Sequence, residues 1–575
     1  MKKIKINWKK PILAQWPLMV TYILLIGWVS ITKNPIPRWM LIFLQAYLAA
    51  SIITLFRSKA IKILIYLFIY ALFFIEISLE ELYGMTISPN VLVLLIETNA
   101  RESKEFLEST LLKSSLWHIP LYLCIAITVT LCLEKYRQII NGYLINTIIV
   151  KYIKYCSLFL LIGGFIFSYT YYQLFRCKEM NEVDEWFSHM RNPDDLLTKL
   201  IVAFYDLKLG EDEMEKTIVI AEHIKPNYQN YNQDSISIVL VIGESYIREH
   251  ASIYGYPLNT TPHLSKEKEN GRLFVFNNMI SPYNQTTGVI RILISCNSIG
   301  DGEHWSSKPP FTAIYKKSGF HVSMMDNQKD YGLDELFSYS LNTYLYNSRV
   351  VKACYSEVND STFEYDGQLI DYYSRVFSNK HRKQMILFHL LGQHIEFEYR
   401  YPKEFSYYSS DSIIFRKDSW LTDEMRTEIV RYDNATRYND YVLQKIINLF
   451  YNDNAVIIYL SDHGEEVFDY RDNHGRDAWG MGDDPKQTIR WQYMVPFVVW
   501  CSDKYKAKNP GIVAQLEKAT ERPGMLDNVC QVLFHLSGLK TPYYKANRDL
   551  LSPQYHCPKR IINGNINSDS IINPS

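Results

Sequence analysis

Ala455-Val456-Ile457-Ile458-Tyr459-Leu460-Ser461-Asp462-His463-Gly464-Glu465-Glu466 decides how this chain is read. An apolar, β-branched run of this length reads as a buried strand of a parallel sheet. It stops at a carboxylate, an imidazole and a glycine. In open α/β sheets ligands bind at the carboxyl ends of the strands, and an Asp-His pair there supplies two ligands for one metal. Ile236-Ser237-Ile238-Val239-Leu240-Val241-Ile242 has the same form and runs into Gly243-Glu244-Ser245. Two buried strands that each end in ionisable groups predict one shared metal site.

Outward from these two strands the pattern alternates. Strands are expected at 235–242, 274–278, 320–325, 384–391, 455–460 and 495–500, with helices at 289–294, 312–317, 423–450 and 525–536. That alternation predicts a doubly wound α/β domain with a mostly parallel sheet and helices on both faces. Its expected limits are residues 231–560, with 561–575, rich in Asn and Ser, expected to be disordered.

The first 176 residues differ. Five apolar segments, about Pro11–Ile31, Trp39–Phe56, Ile61–Ile77, Leu116–Leu133 and Tyr155–Phe175, approach the roughly 20 residues that a membrane-spanning helix needs. They predict an α-helical membrane domain of five transmembrane helices. Lysines 2, 3, 5, 9 and 10, then Arg57, Lys59 and Lys62, then Lys135, Arg137, Lys151 and Lys154 fall on one side, which the positive-inside rule makes cytoplasmic. An odd number of spans puts everything after Arg176 outside. Residues 177–230 read as a polar connector with an amphipathic helix, its apolar positions at Leu196, Leu197, Leu200, Ile201 and Phe204. Glu76, Glu80 and Glu81 end the third span, and Glu97-Thr98-Asn99 follows in its outer loop. Such groups at headgroup depth suit an ammonium-bearing lipid, or else cap a solvated helix. The formal charge is zero, with 61 basic and 61 acidic residues and no basic block, which argues against a nucleic-acid partner. The nine cysteines are widely spaced and contain no Cys-x-x-Cys, so thiolate-held zinc is not expected.

Ser281-Pro282-Tyr283-Asn284-Gln285-Thr286-Thr287-Gly288 lies between the two strand-end groups and opens an apolar helix. Hydroxyls at a helix amino terminus sit beside free N–H groups that stabilise an anion. Glu, Asp and His suit Zn²⁺, and three protein ligands with one open position describe a catalytic site. A threonine oxygen in that position becomes a usable nucleophile. Residue types and spacing leave Thr286 and Thr287 both open as that threonine.

Further stretches join these: Tyr254-Gly255-Tyr256, Thr260-Thr261-Pro262, Phe276-Asn277-Asn278, His389-Leu390-Leu391-Gly392-Gln393-His394 and Arg400-Tyr401-Pro402. With Gly243-Glu244-Ser245 and Ser461-Asp462-His463-Gly464-Glu465 they resemble the membrane-bound phosphoethanolamine transferases of the alkaline phosphatase/sulfatase superfamily, over nearly the whole chain. The resemblance is nearest to the branch acting on lipopolysaccharide core. The lipid A branch flanks its nucleophile with a cysteine pair where this chain has Pro282 and Ile292.

The resemblance implies one Zn²⁺ held by Glu244, Thr286, Asp462 and His463; room for a second ion during turnover stays open. It implies Thr286 as nucleophile, His394 and His474 as groups that bind phosphoryl oxygens or move protons, and Glu97, Asn99, Asn284, Gln285 and His389 as substrate-binding residues. The implied donor is phosphatidylethanolamine and the acceptor a lipopolysaccharide core sugar or lipid A. The enzyme would sit in a bacterial inner membrane as a multi-pass protein with its catalytic domain in the periplasm. Two alternatives stay open on the sequence: a phosphoglycerol transferase of the lipoteichoic-acid type, and a non-catalytic envelope protein on the same fold. A formylglycine sulfatase is disfavoured, because no Cys-x-Pro-x-Arg occurs.

Overall fold

The computed structural model describes residues 9–29, 36–56, 58–83, 87, 118–144, 149–180, 182–183, 186, 196–225, 229–230, 235–302, 304–328, 341–377, 381–476 and 484–572. The chain divides into two compact units, residues 1–211 and 212–575.

The first unit is helical, with helices at Lys9–Val29, Ile36–Phe56, Lys59–Tyr83, His118–Leu144 and Ile149–Leu174. Leu18, Ile26, Ile42, Ala46, Ala50, Ile69 and Phe73 interlock in its core. The small side chains among them let the helix backbones approach closely. Leu55, Leu64, Phe165 and Tyr172 stay exposed. Among the described residues two helical stretches meet both the length and the apolarity of a span: Trp39–Phe56 with mean hydropathy 1.9 and Lys59–Leu79 with 2.2.

Glu76 is not a free headgroup carboxylate. It is buried, pairs with Lys199 Nζ at 2.7 Å and accepts the Ile87 N–H at 2.7 Å. The side chains of Glu80 and Glu81 lie outside the described residues. Lys199 belongs to the helix Leu196–Glu222, longer than the amphipathic segment expected. Its buried positions include Thr198, Lys199, Val202, Ala203 and Asp206, while Phe204 is exposed. Of the expected apolar positions Leu197, Leu200 and Ile201 are half-buried, with Leu200 packed against the core of the first unit, and the polar Thr198 and Lys199 between them are buried against Tyr171 and Glu76.

In the second unit a seven-stranded sheet is built from β1 (Ile236–Gly243), β2 (Leu273–Phe276), β3 (His321–Asp326), β4 (Glu357–Val358), β5 (Lys383–His389), β6 (Ala455–Ser461) and β7 (Phe497–Cys501). Its order is β2-β7-β6-β1-β5-β3-β4. Only β7 runs antiparallel to its neighbours; the β6-β1-β5-β3-β4 block is parallel throughout. All eight residues of β1 and all seven of β6 are buried, as the two unbroken apolar runs require.

Val239 and Val241 of β1 face a core that includes Leu369, Tyr373, Ala435, Val442 and Ile446. These come from α2 (Asp366–Val376) and α3 (Asp423–Phe450), with α1 (Thr286–Ile294) lying earlier in the chain. Each such buried aliphatic side chain contributes about 1.5–3 kcal/mol. The alternate side chains Ile238, Leu240 and Ile242 are equally buried and point to the opposite face, where α4 (Val529–Ser537) packs on β1. The short strand β4 and helix α2 carried no sequence signal strong enough to be expected.

The tail is a correction. Ile561–Ile562 and Ile566–Asn567 pair as a hairpin, followed by a helix at Ser568–Ile572. Ile562 joins a cluster with Ile280, Ile489, Tyr493 and Met525. The Asn and Ser content is turn chemistry here: Asn563 (φ 46°) and Gly564 (φ 79°) are the left-handed residues of the three-residue turn that links Ile562 to Ile566.

Candidate metal centre and nucleophile

Sheet register builds the site. Gly243 at the end of β1 pairs with Ser461 at the end of β6, so the next residues, Glu244 and Asp462, emerge side by side. The Asp462 N–H reaches back to the Gly243 carbonyl at 3.0 Å, and the Ser245 N–H donates to Asp462 Oδ1 at 3.1 Å. His463 follows directly, with Nδ1 at 2.9 Å from the Gly464 carbonyl. A carbonyl only accepts, so Nδ1 carries the proton and Nε2 presents its lone pair to the centre. That nitrogen lies 3.3 Å from Glu244 Oε1 and 3.1 Å from Asp462 Oδ2. Glu244, Asp462 and His463 are all fully buried.

The first turn of α1 brings the hydroxyl. Thr286 Oγ1 donates to Glu244 Oε2 at 3.0 Å and approaches His463 Nε2 at 3.2 Å. Thr287 is turned into the protein and buried. Of the two threonines left open by the sequence, Thr286 is the one that meets the triad.

These residues fit a divalent ion. Tetrahedral zinc with bonds of about 2.0–2.2 Å sets neighbouring ligand atoms roughly 3.3–3.5 Å apart, close to the 3.0–3.3 Å separations here. Ligand atoms of Glu244, Asp462 and His463 all lie within 4.8 Å of one another. Asp462 Oδ2 is buried and receives no hydrogen-bond donor. Burial and the neighbouring Glu244 carboxylate push Asp462 well above the usual carboxylate range. Burial would raise Glu244 too, but its contact with His463 and the charges of His394 and Arg476 hold it well below. A cation between the two carboxylates removes their repulsion and supplies the partner that Oδ2 lacks.

The remaining expected residues divide. His394 is half-buried and near enough for its charge to act on Glu244. His389, at the end of β5, makes no hydrogen bond to the triad among the described residues, although the Glu244 charge reaches it. Its Nδ1 meets Asp326 Oδ1 at 3.0 Å, and Asp326 also accepts from the Gln328 N–H and the Tyr346 hydroxyl. Asn284 Nδ2 is turned to Gln492 Oε1 at 2.9 Å, and Gln285 holds the N-cap position of α1 with extended backbone and no side-chain capping bond. His474 stands on the short hairpin that pairs Glu466–Val467 with His474–Gly475, its ring between those of Phe397 and Phe468. Burial between the rings lowers its pKa, although its outer edge is exposed. Among the described residues it makes no hydrogen bond to the triad. Glu97 and Asn99 lie outside the described residues. The eight described cysteines, including Cys177, Cys296, Cys354, Cys501, Cys530 and Cys557, are free thiols.

Two residues at the centre had no signal in the sequence. Gln328 donates from Nε2 to Glu244 Oε2 at 3.3 Å and to the Leu390 carbonyl at 2.7 Å. Arg476 Nη1 lies 2.5 Å from His463 Nε2, on the lone pair that a bound cation would take in its place, and donates to the Asn284 carbonyl at 3.1 Å, with Nε 3.2 Å from Glu465 Oε2. Both arrive from loops whose path depends on the folded domain.

Fold and centre together define a class: α/β phosphoryl- or sulfuryl-handling domains in which strand ends gather metal-binding side chains around a hydroxyl nucleophile. The chain belongs to the sulfatase family, whose model matches residues 237–524. Its relatives there are phosphoethanolamine transferases. It is 26% identical over 531 residues to phosphoethanolamine transferase EptC of Escherichia coli K12, covering 90% of this chain and 86% of that protein. The crystal structure of the C-terminal periplasmic domain of Escherichia coli EptC matches at 27% identity with a TM-score of 0.50, over 57% of this chain and 90% of that one. The integral membrane lipooligosaccharide phosphoethanolamine transferase A of Neisseria meningitidis shares the fold over 94% of this chain and 97% of its own, with a TM-score of 0.59 and 17% identity.

Proposed function

We propose that this protein transfers phosphoethanolamine from phosphatidylethanolamine to a lipopolysaccharide acceptor, a core sugar or lipid A, through a phosphothreonine at Thr286. The observation that carries the reading is the Thr286 hydroxyl, 3.0 Å from Glu244 Oε2 and 3.2 Å from His463 Nε2 at the amino terminus of α1. The names of the relatives supply the transferred group, and two of them are Kdo(2)-lipid A phosphoethanolamine 7''-transferases.

Glu244, Asp462, His463 and the Thr286 oxygen would hold one Zn²⁺. Bound there, zinc supplies Lewis acidity to a hydroxyl and to phosphoryl oxygen. The side chains do the rest. Thr286 Oγ gives up its proton to solvent and attacks phosphorus, forming a P–Oγ bond while the bond from phosphorus to the diacylglycerol oxygen breaks. His394 returns a proton to that leaving oxygen. The α1 amino terminus and Arg476 offset charge on the phosphoryl oxygens. In the second half an acceptor oxygen attacks the phosphorus of the phosphothreonine, giving its proton to His394 as the new P–O bond forms; the P–Oγ bond breaks and Thr286 Oγ takes up a proton from solvent.

Donor and acceptor are both lipids, so holding the domain at the bilayer raises their effective concentration. The five apolar segments of the first unit are accordingly taken as spans, with the second unit in the periplasm. The test is incubation of the purified full chain with labelled phosphatidylethanolamine, followed by mass analysis. A phosphoethanolamine adduct is expected on the peptide containing Thr286 and absent in Thr286→Ala. An adduct that persists in Thr286→Ala overturns the assignment. Lipopolysaccharide from cells with and without the protein should differ by one phosphoethanolamine.

A further inference from the structure

His250 lies between two carboxylates, six residues beyond Glu244. Its Nδ1 is 2.6 Å from Asp433 Oδ1 and its Nε2 2.9 Å from Asp469 Oδ1, and all three side chains are fully buried. A neutral imidazole has one N–H and one lone pair. It would satisfy one carboxylate and point its lone pair at the other, so contact with both requires the imidazolium. Tyr256 completes the arrangement: its ring stacks on His250 at 4.6 Å and its hydroxyl donates to Asp433 Oδ2 at 2.8 Å. Arg416 Nη1 stands 3.8 Å from Asp469 Oδ1. Two cations thus face two carboxylates, which is how a buried charge cluster becomes tolerable.

The three parts come from separate pieces of the fold. His250 follows β1 and Glu244, Asp433 is on α3, and Asp469 is at the turn of the 466–475 hairpin that follows Asp462 and His463. The turn needs holding. Phe468 sits at φ 55°, a left-handed conformation that is strained for a residue with a bulky side chain. Asp469 Oδ2 also takes the Val467 N–H at 2.9 Å, and Arg416 donates to the carbonyls of Phe468 at 2.6 Å and Asp469 at 3.1 Å. The far arm of the same hairpin leads directly to Arg476, whose guanidinium rests on His463 Nε2 and the Asn284 carbonyl.

We propose that His250, clamped by Asp433 and Asp469, is a positioning residue: it braces the 466–475 turn against α3 and so sets Arg476 where the phosphoryl group must bind. This rests on the transfer reading above. It gives Tyr256, part of the Tyr254-Gly255-Tyr256 stretch, a physical role.

The test compares wild type with His250→Gln, Asp469→Asn and the double variant, all as full chains in detergent. Single-turnover formation of the Thr286 adduct is followed against phosphatidylethanolamine concentration, alongside thermal stability and hydrogen exchange. Each single variant is expected to lower the maximal rate at least tenfold while the half-saturating lipid concentration moves less than threefold. The double variant should be no slower than the worse single, since both break one clamp. Exchange should rise at 466–476 and stay unchanged in β1 and β6. A solely structural histidine would cost stability but leave the rate per folded molecule within twofold of wild type, and that result overturns the proposal. If the His250 variant does not fold, Tyr256→Phe removes one arm and should slow adduct formation about threefold; an unchanged rate overturns it equally. If wild type forms no adduct, the transfer reading fails, and unaltered exchange at 466–476 in Asp469→Asn would independently overturn the brace.

Discussion

At the residue scale the decisive atom is Asp462 Oδ2, buried without a donor and 3.1 Å from His463 Nε2. An unsatisfied buried acceptor costs about 1–3 kcal/mol, and more when it is charged. A cation reverses that sign, which makes an ordering testable. Chelated Asp462→Asn protein should be more stable than chelated wild type by about 1 kcal/mol, because the repulsion from Glu244 is gone. With divalent metal present the order should invert, since wild type alone gains binding energy. Melting curves of both proteins with and without chelator check this; an order that does not change with metal refutes the centre. His250 makes a second prediction. Burial works against its charge, but Asp433 and Asp469 outweigh burial and raise its pKa to about 10. A folded value above the ordinary imidazole range near 6.5 stabilises the protein fully below about pH 6.5 and loses that contribution as pH rises through about 10. Asp433 is itself raised by burial, so the claim concerns the alkaline limb. Wild type should lose stability between about pH 6.5 and about 10 more steeply than His250→Gln, which has no proton to lose there.

At the scale of elements, two strand ends meet over a glycine. Gly392, just beyond β5, has φ +52°, and a Cβ there would lie 2.7 Å from the Glu244 nitrogen and 2.8 Å from its carbonyl oxygen. Both contacts are backbone, so β1 would have to move. Gly392→Ala should therefore cost about 1–3 kcal/mol, and it should weaken divalent binding more than tenfold by displacing Glu244 from Asp462. Equilibrium titration of metal into the chelated protein measures this, and unchanged affinity would separate Gly392 from the centre. The strands themselves were legible in the sequence because β1 and β6 are buried on both faces and so carry unbroken apolar runs. The long helix α3 was legible from end to end by its period. The two-residue strand β4 was not, since its residues are only half-buried and show neither apolar continuity nor alternation.

For the whole molecule, the membrane assignment has a direct readout. Cys557 is exposed in the second unit, while Cys124 and Cys132 are exposed on the apolar helix His118–Leu144. A membrane-impermeant maleimide applied to spheroplasts should label Cys557, and Cys557→Ser should remove that label. Labelling of Cys557 only after permeabilisation would place the second unit in the cytoplasm and defeat the periplasmic reading.

Glu244, Asp462 and His463 were visible as ligand candidates before any fold was known. Each follows a strand that its own composition declares, and a parallel sheet brings strand ends together. The choice of Thr286 over Thr287 needed the first turn of α1, where successive side chains point about a hundred degrees apart. Gln328 and Arg476 needed more: they reach the centre from loops, and a loop's path is set by what it packs on. His250 shows the same division. Its neighbours in the chain say nothing of Asp433 and Asp469, 183 and 219 residues away, because charge pairing across the fold acts through distance in space and leaves no period in the sequence.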